Sequence, residues 1–191
     1  MRHRGIVRKA SCIVLATLLS TCAAAALAAR DIVIENAAVI VDNDIVMLDL
    51  DASFEFSADA LAALESGIEL YFDLDIRIDR ARRMLWNARQ FETSRRFSLE
   101  RHALSERFIL TDLVTDERRV HGSLEQAIAD LGRIRRLPVV EAARLDAPGS
   151  SIIGVRFRLD IDALPAPMIP LAYVSPGWHM SSGWIEWPAE R

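Results

Sequence analysis

Cysteine is almost absent from this sequence of 191 residues: there are two, and both lie before residue 23. The remainder of the chain can therefore form no internal disulfide, even in an oxidising compartment. It also offers no thiol for nucleophilic catalysis. The roughly 162 residues after position 29 must be held together by an ordinary hydrophobic core, which a chain of that length can supply.

The residue patterns of common catalytic and cofactor sites are missing as well. Glycine occurs only eight times, and no glycine-rich loop suits a phosphate or a dinucleotide. There is no G-x-S-x-G nucleophile elbow. His102, His121 and His179 have no second histidine or cysteine two to five residues away, as zinc sites commonly do. The sequence therefore predicts no catalytic residue, no metal site and no cofactor.

Lysine is also nearly absent, since Lys9 is the only one. The formal net charge is −4, and without the first 29 residues 19 arginines stand against 27 acidic residues, a net charge of −8. A nucleic-acid-binding protein needs a basic surface for the phosphate backbone. The composition therefore argues against a nucleic-acid partner.

The N-terminus has the three parts of a secretory signal peptide. Arg2, Arg4, Arg8 and Lys9 precede an apolar run from residue 12, and small residues surround Ala26-Leu27-Ala28. This pattern predicts a cleaved signal peptide over residues 1–29 and a periplasmic domain over residues 30–191. Two alternatives remain open, a lipoprotein anchored through Cys22 and an uncleaved membrane anchor. No second apolar run of 18 residues follows, so the mature chain is predicted not to span a membrane.

Two segments alternate between apolar and polar residues, which is typical of strands with one wet face. The first is Ile45–Phe56, whose odd-numbered positions are polar from Asp49 onward. The second, residues 68–79, alternates more strictly and is the strongest structural signal in the sequence. Between them, Ser57 is predicted to cap a helix from Ala58 to about Ser66. This helix is too short to return the chain along a strand, so a parallel crossover is not expected.

The rest of the chain adds further strands and a second helix. Residues 80–96 either extend a strand or form an excursion, and residues 97–111 hold two short strand candidates. Ser123-Leu-Glu-Gln126 is a capping box that opens a helix predicted to end near Arg136, before Pro138. Alternation over residues 153–161 and an edge strand over residues 178–187 complete the prediction. The fold class is a single α+β domain, mostly an antiparallel, long-stranded twisted sheet with two short helices.

Several segments resemble an exported proteobacterial family, domain of unknown function 4390. They are Ala63–Leu70, Phe97–Leu104, Ser123–Leu131, Arg158–Pro165 and the C-terminal segment with three tryptophans. Similar sequences often carry Pro at the position of Glu69 and Tyr at that of Arg101. The resemblance implies an envelope protein with no assigned activity, of a kind often encoded beside a membrane sensor kinase, and hence a signalling protein as partner.

The residues proposed for ligand or partner contact are Arg156, Arg158, Trp178, Trp184, Trp187 and His102. Arginines on one strand face can bind an anion, but the sequence favours their pairing with Asp160, Asp162 or the acidic strands. Tryptophan anchors interfaces. Because Trp184 and Trp187 would point to opposite sheet faces, at least one is expected in the core.

The sequence therefore favours a non-enzymatic envelope module that contacts another envelope protein through an exposed strand edge and the tryptophan-rich end. Two alternatives remain: a small hydrolase that uses Asp73, Asp75 or Asp79 with a histidine, and a lipid- or sugar-binding domain walled by the apolar strand faces.

Overall fold

The computed structural model describes residues 31–80, 88–144 and 151–188. They form a single domain of antiparallel strands in two sheets, as predicted for the fold class, with three helices. The strands are β1 (Ile32–Asp42), β2 (Ile45–Phe54), β3 (Leu70–Arg80), β4 (Ala88–His102), β5 (Arg107–Asp112), β6 (Glu117–His121), β7 (Arg133–Glu141), β8 (Ser151–Leu159) and β9 (Ile185–Pro188). The helices are α1 (Ala58–Glu65), α2 (Leu124–Leu131) and α3 (Ile169–Val174).

The smaller sheet has three strands in the order β1-β2-β7. A two-residue turn at Asn43 and Asp44 joins β1 to β2, and both residues have positive φ, as a type I′ hairpin turn requires. Glu35 is an extra residue on β1, which makes a β-bulge in the pairing with β2. β1 and β7 are therefore the two outer strands of this sheet.

The larger sheet has six strands in the order β6-β5-β4-β3-β8-β9. β3, with the most regular alternation in the sequence, lies in its centre between β4 and β8. Every pairing is antiparallel, so the expectation that β2 and β3 are not joined by a parallel crossover is confirmed. The two strands lie in different sheets.

The two sheets share one hydrophobic core. Phe54 of β2 contacts the rings of Phe72 on β3 and Phe157 on β8, with centroids 5.7 and 5.0 Å apart and edge-to-face geometry. The largest fully buried side chains are Phe72, Phe157, Ile32, Leu48, Leu50, Leu64, Leu70, Leu74, Ile76, Ile78, Leu99 and Leu110. The apolar sides of the alternating strands are thus buried where the two sheets pack against each other.

The first predicted helix is confirmed, since α1 begins after Ser57, whose Oγ accepts a hydrogen bond from the Ala60 amide at 3.1 Å. Ser123 caps α2 in the same way. The predicted end of the second helix near Arg136 is wrong, because α2 ends at Leu131.

The physical reason is a close backbone approach at Gly132. Its carbonyl accepts a hydrogen bond from the Ala52 amide at 2.9 Å, and a Cβ at this position would lie 2.0 Å from the Ala52 carbonyl oxygen. The absence of a side chain lets the chain leave the helix and pair with β2 as β7. Pro138 is tolerated in β7 because that strand is at a sheet edge.

Residues 80–96, left open above, belong largely to strands. β3 runs to Arg80 and β4 begins at Ala88, while residues 81–87 lie outside the described part of the chain. β4 then continues to His102, so one long strand replaces the first of the two short ones expected over residues 97–111. The C-terminal edge strand is confirmed only at its end, since β9 begins at Ile185 and Trp178 lies in a short 3-10 helix, Pro176–Trp178. Among the helices described, none is long and apolar enough to cross a bilayer.

Candidate functional site

The outer face of the six-stranded sheet carries a dense set of acidic and basic side chains. We name it the acid–arginine face, and its members are Asp73, Asp75, Arg77 and Asp79 of β3, Arg96 of β4, Arg156 and Arg158 of β8, and the adjacent Asp160. They lie opposite the core because they alternate with apolar residues along their strands. The register puts Asp73 between Arg96 and Arg158 and puts Asp75 beside Arg156.

Asp73 is the centre of this face. It accepts two hydrogen bonds from Arg96, at 2.8 and 3.1 Å, and one from Arg158 at 2.7 Å. Its side chain is only 3% exposed although it lies on the outer face, because the guanidinium groups cover it. Arg96 also donates to Asp160 at 2.6 Å, and the hydrogen bonds to Asp73 raise the pKa of Arg96 above its ordinary value.

Asp75, two residues after Asp73 on β3, also accepts hydrogen bonds from arginine side chains. Burial alone would raise the pKa of its carboxyl, but hydrogen bonds from Arg156, Ser94 and Arg158 outweigh burial and lower that pKa below its usual value. Arg156 donates at 2.6 Å and Arg158 at 3.1 Å. Asp75 is therefore a permanently ionised structural acceptor near neutral pH, which makes it a poor general acid.

The predicted candidates Arg156 and Arg158 therefore lie on one strand face, as expected, and both are paired with carboxylates. Each remains about one-third exposed. The geometry accounts for them as counter-ions of Asp73 and Asp75, and their contact with an anionic ligand stays a prediction.

The three tryptophans occupy three different environments. Trp178 is buried in the core at 4% exposure, so its ring offers almost no surface to a partner. Trp187 pairs with Ile153 and packs against the core. Trp184 lies on the acid–arginine face, where the guanidinium carbons of Arg77 and Arg156 lie 4.1 and 4.7 Å from its ring centroid.

This arrangement confirms that Trp184 and Trp187 point to opposite faces. It also gives a reason for Gly154, which pairs with Arg77 across β3 and β8. A Cβ on Gly154 would lie 2.8 Å from the Arg77 Nε. The missing side chain thus leaves room for the arginine to lie flat beside the Trp184 ring.

His102 lies far from the buried carboxylates. It is exposed at the end of β4, where its Nδ1 is 3.1 Å from the Ser105 hydroxyl. It is six residues beyond Arg96 along the strand, a separation of about 20 Å. His121 lies beside Asp130, with a nitrogen–oxygen distance of 2.9 Å, and the described ranges bring no three potential metal-binding side chains together.

Two of the grooves that the described residues line lie beside the smaller sheet. The larger, about 520 Å³, lies between the β1–β2 hairpin and α2, and the other, about 410 Å³, lies beside β7. Charged residues contribute to both: Glu35, Asp51, Glu125 and Arg133 to the larger, and several arginines to the other. The apolar strand faces suggested above as walls of a lipid or sugar site instead pack against each other in the core.

The outer strand β1 presents an apolar surface, in contrast to the charged acid–arginine face. Its second half, Ala37–Val41, is entirely apolar, yet Ile40 and Val41 are 41% and 61% exposed. In the ranges that the structure covers, no strand pairs with the outer side of β1. An exposed strand edge was predicted from the sequence, but its position was not. The feature that could have located it is the apolar run immediately before the turn Asp42-Asn43-Asp44.

The other three outer strands carry features that discourage pairing. β6 has five residues, three of them charged, and β9 has four and ends in proline. β7 contains Pro138, three arginines and a bulge at Arg136, which has φ +50°. β1 alone among these edges combines length with an uncharged, proline-free apolar run.

A comparison with protein families gives one result that covers most of the chain. The family described as a domain of unknown function (DUF4390) matches residues 29–188. The chain belongs to this family. No curated protein and no solved structure matches it. The match spans both sheets, the acid–arginine face and the whole of β1.

Proposed function

We propose that this protein is a non-enzymatic interaction module of the cell envelope, and that it binds its partner by adding an extended strand to the outer edge of β1. The observation that supports this proposal is the apolar run Ala37–Val41, in which Ala38, Ile40 and Val41 are exposed, at a sheet edge that no described strand covers. Strand addition derives affinity from backbone hydrogen bonds and specificity from alternate side chains. β1 offers both.

The acid–arginine face supports a scaffold in preference to a reaction centre. Its carboxylates are occupied by arginines, and His102 lies on a different part of the sheet. A hydrolase would need a carboxylate and a base beside one reacting atom, and the carboxylate found beside a histidine, Asp130 next to His121, belongs to α2 and β6 and not to this face. We therefore treat the face as the rigid support that holds the six-stranded sheet while β1 serves recognition.

The envelope location is part of the proposal and is supported by the N-terminal sequence. The basic start, apolar middle and small-residue end of residues 1–29 favour export and cleavage. N-terminal sequencing of the protein from a periplasmic fraction is expected to begin near Arg30. A lipidated Cys22 at the N-terminus would show that the protein is a lipoprotein instead. An intact Met1 would show that the membrane anchor is not cleaved.

A photo-crosslinking experiment tests the role of β1. A photoreactive amino acid is placed at Ile40 in β1 or, as a control, at Val120 in β6, which is also an exposed edge residue. Illumination of intact cells is expected to give a defined adduct from position 40 and none from position 120. The adduct is expected to disappear when Val39→Pro is added. No adduct at position 40, or equal adducts at both positions, would refute the proposal.

A further inference from the structure

Resting on the proposed role of β1, we infer that the strand added to this edge is β1 of a second copy of the same chain. The two strands run antiparallel about a two-fold axis at Val39. The two three-stranded sheets then join into one continuous sheet, in the order β7-β2-β1-β1-β2-β7. Such an interface is isologous, because each copy supplies the same surface.

The directions in which the backbone N–H and C=O groups of β1 point permit this pairing. Asp42 and Ile45 flank the two-residue turn and form a hydrogen-bonded pair, and such pairs then recur at every second position of the hairpin. On the other side of β2, the Asp44 carbonyl accepts a hydrogen bond from the Ala142 amide, and the Ala52 amide donates one to the Gly132 carbonyl. Gly132 and Ala142 directly precede and follow β7. Even-numbered residues of β2 thus face β7, and odd-numbered ones face β1.

The outward groups of β1 follow from this alternation. Within residues 37–42, those opposite the odd-numbered positions of β2 are Ala38, Ile40 and Asp42, and their backbone groups bond to β2. The N–H and C=O groups of Ala37, Val39 and Val41 therefore point away from it. An axis at Val39 places Val39 opposite its own copy and Ala37 opposite Val41, so that three hydrogen-bonded pairs form between the copies.

The side chains on this register are complementary in size. On the inner side of the sheet a small Ala37 lies opposite a larger Val41, and on the outer side a small Ala38 lies opposite a larger Ile40. Cross-strand pairs of this kind are the unit by which sheets gain stability. The exposed apolar surface of Ile40 and Val41 would be covered by the second copy.

The charges also favour the axis at Val39. It places the Asn36 amide opposite the Asp42 carboxylate, so no two like charges are opposed. An axis at Ala38 would instead place Asn36 opposite Ile40 and Glu35 opposite Val41, so that polar side chains would pair with apolar ones. The bulge at Glu35 interrupts the strand just beyond this segment, so the pairing ends there.

Sedimentation of the purified chain over a range of concentrations tests the inference. The wild type is expected to form a dimer reversibly. Val39→Pro removes the outward N–H without removing a hydrogen bond to β2, and it is expected to raise the dimer dissociation constant by roughly tenfold or more, since two inter-copy bonds are lost. Val39→Thr keeps the N–H and the branched shape and is expected to dimerise like the wild type.

Amide hydrogen exchange provides a second measurement that does not depend on the variants. In dilute solution, the amides of Ala38 and Ile40 are expected to be protected while those of Val39 and Val41 exchange freely. At dimer-forming concentrations Val39 and Val41 are expected to become protected too. A dimer with unchanged exchange at Val39 would place the interface elsewhere and overturn the inference.

The outcomes separate this inference from the proposed function. A chain that stays monomeric at high concentration, but gives a cross-linked adduct at position 40 with a different protein, refutes the second copy and retains the role of β1. An adduct of twice the chain mass, lost with Val39→Pro, supports both. A monomer without any adduct refutes both.

Discussion

The acid–arginine face and the β1 edge are both rows of side chains at the surface of a sheet, but their interactions are opposite. On the acid–arginine face, Asp73 and Asp75 are covered by arginines from both neighbouring strands. On β1, Ile40 and Val41 are exposed without an apolar neighbour on the outer side. A central strand can satisfy its polar face within the chain, whereas an outer strand has partners on one side only.

This difference separates stability from recognition. Changes on the acid–arginine face should alter the free energy of unfolding, because its charges are buried and mutually dependent. Changes at β1 should alter association with little effect on folding. The following predictions test that division, beginning with the largest expected effect.

Asp73→Ala should destabilise the protein most, by about 3 kcal/mol, because Arg96 and Arg158 lose their shared acceptor in a buried position. Urea unfolding monitored by tryptophan fluorescence measures the change. Asp51→Ala is the matched control, since the Asp51–Arg135 pair is exposed and should contribute less than about 1 kcal/mol. Equal effects from both variants would contradict the structural role of this face.

Trp184→Ala should cost about 2 kcal/mol, because two guanidinium groups lose the ring on which they lie. Trp184→Phe keeps an aromatic ring and should cost about half as much. If recovery of a partner falls with Trp184→Ala while stability is unchanged, the ring serves recognition instead, as the sequence analysis allowed.

Gly154→Ala should cost about 1 to 2 kcal/mol, because its Cβ would displace Arg77 from the Trp184 ring. Gly122→Ala is the control: a Cβ there meets only a glutamine oxygen at 3.7 Å, an ordinary contact. Thermal unfolding of both variants measures the difference, and an unchanged Gly154→Ala protein would show that Arg77 moves aside freely.

Acidification should produce a smaller loss of stability through Asp75. Its pKa is lowered in the folded state, so its ionised form stabilises the fold above the unfolded-state pKa of about 3.9. That stabilisation is lost as the pH falls through the lower folded-state pKa. Asp75→Asn should therefore be less stable than the wild type at pH 7, and the difference in their free energies of unfolding should decrease on acidification. If this difference does not change with pH, ionisation of Asp75 does not contribute to stability.

Ile40→Lys should have the smallest effect on unfolding, within about 0.5 kcal/mol, because the side chain is 41% exposed. Association through β1 should nevertheless be abolished, since a charge on an edge strand opposes pairing. Val120→Lys in β6 is the control and should leave association unchanged. Sedimentation together with urea unfolding gives both quantities, and a dimer that survives Ile40→Lys would contradict the pairing.

The sequence predicted individual elements better than their arrangement. Alternation over residues 68–79 correctly gave β3 and separated its two faces, and serine caps gave the starts of α1 and α2. The end of α2 was missed because the close approach of Gly132 to Ala52 is a contact with a distant segment. Pairing of Arg156 and Arg158 with acidic strands was predicted and is confirmed, but which carboxylates they contact depends on strand order.

For the clearly alternating segments, such as residues 68–79, local chemistry in the sequence alone determined that they form strands and which side of each strand is apolar. It also determined that Trp184 and Trp187 face opposite ways, because a strand has a fixed period of two. The tertiary structure decided that the strands divide into two sheets, that Asp73 is buried beneath two arginines, and that β1 lies at an edge. These facts depend on which segments become neighbours, and contacts between distant segments leave no periodic signal in the chain.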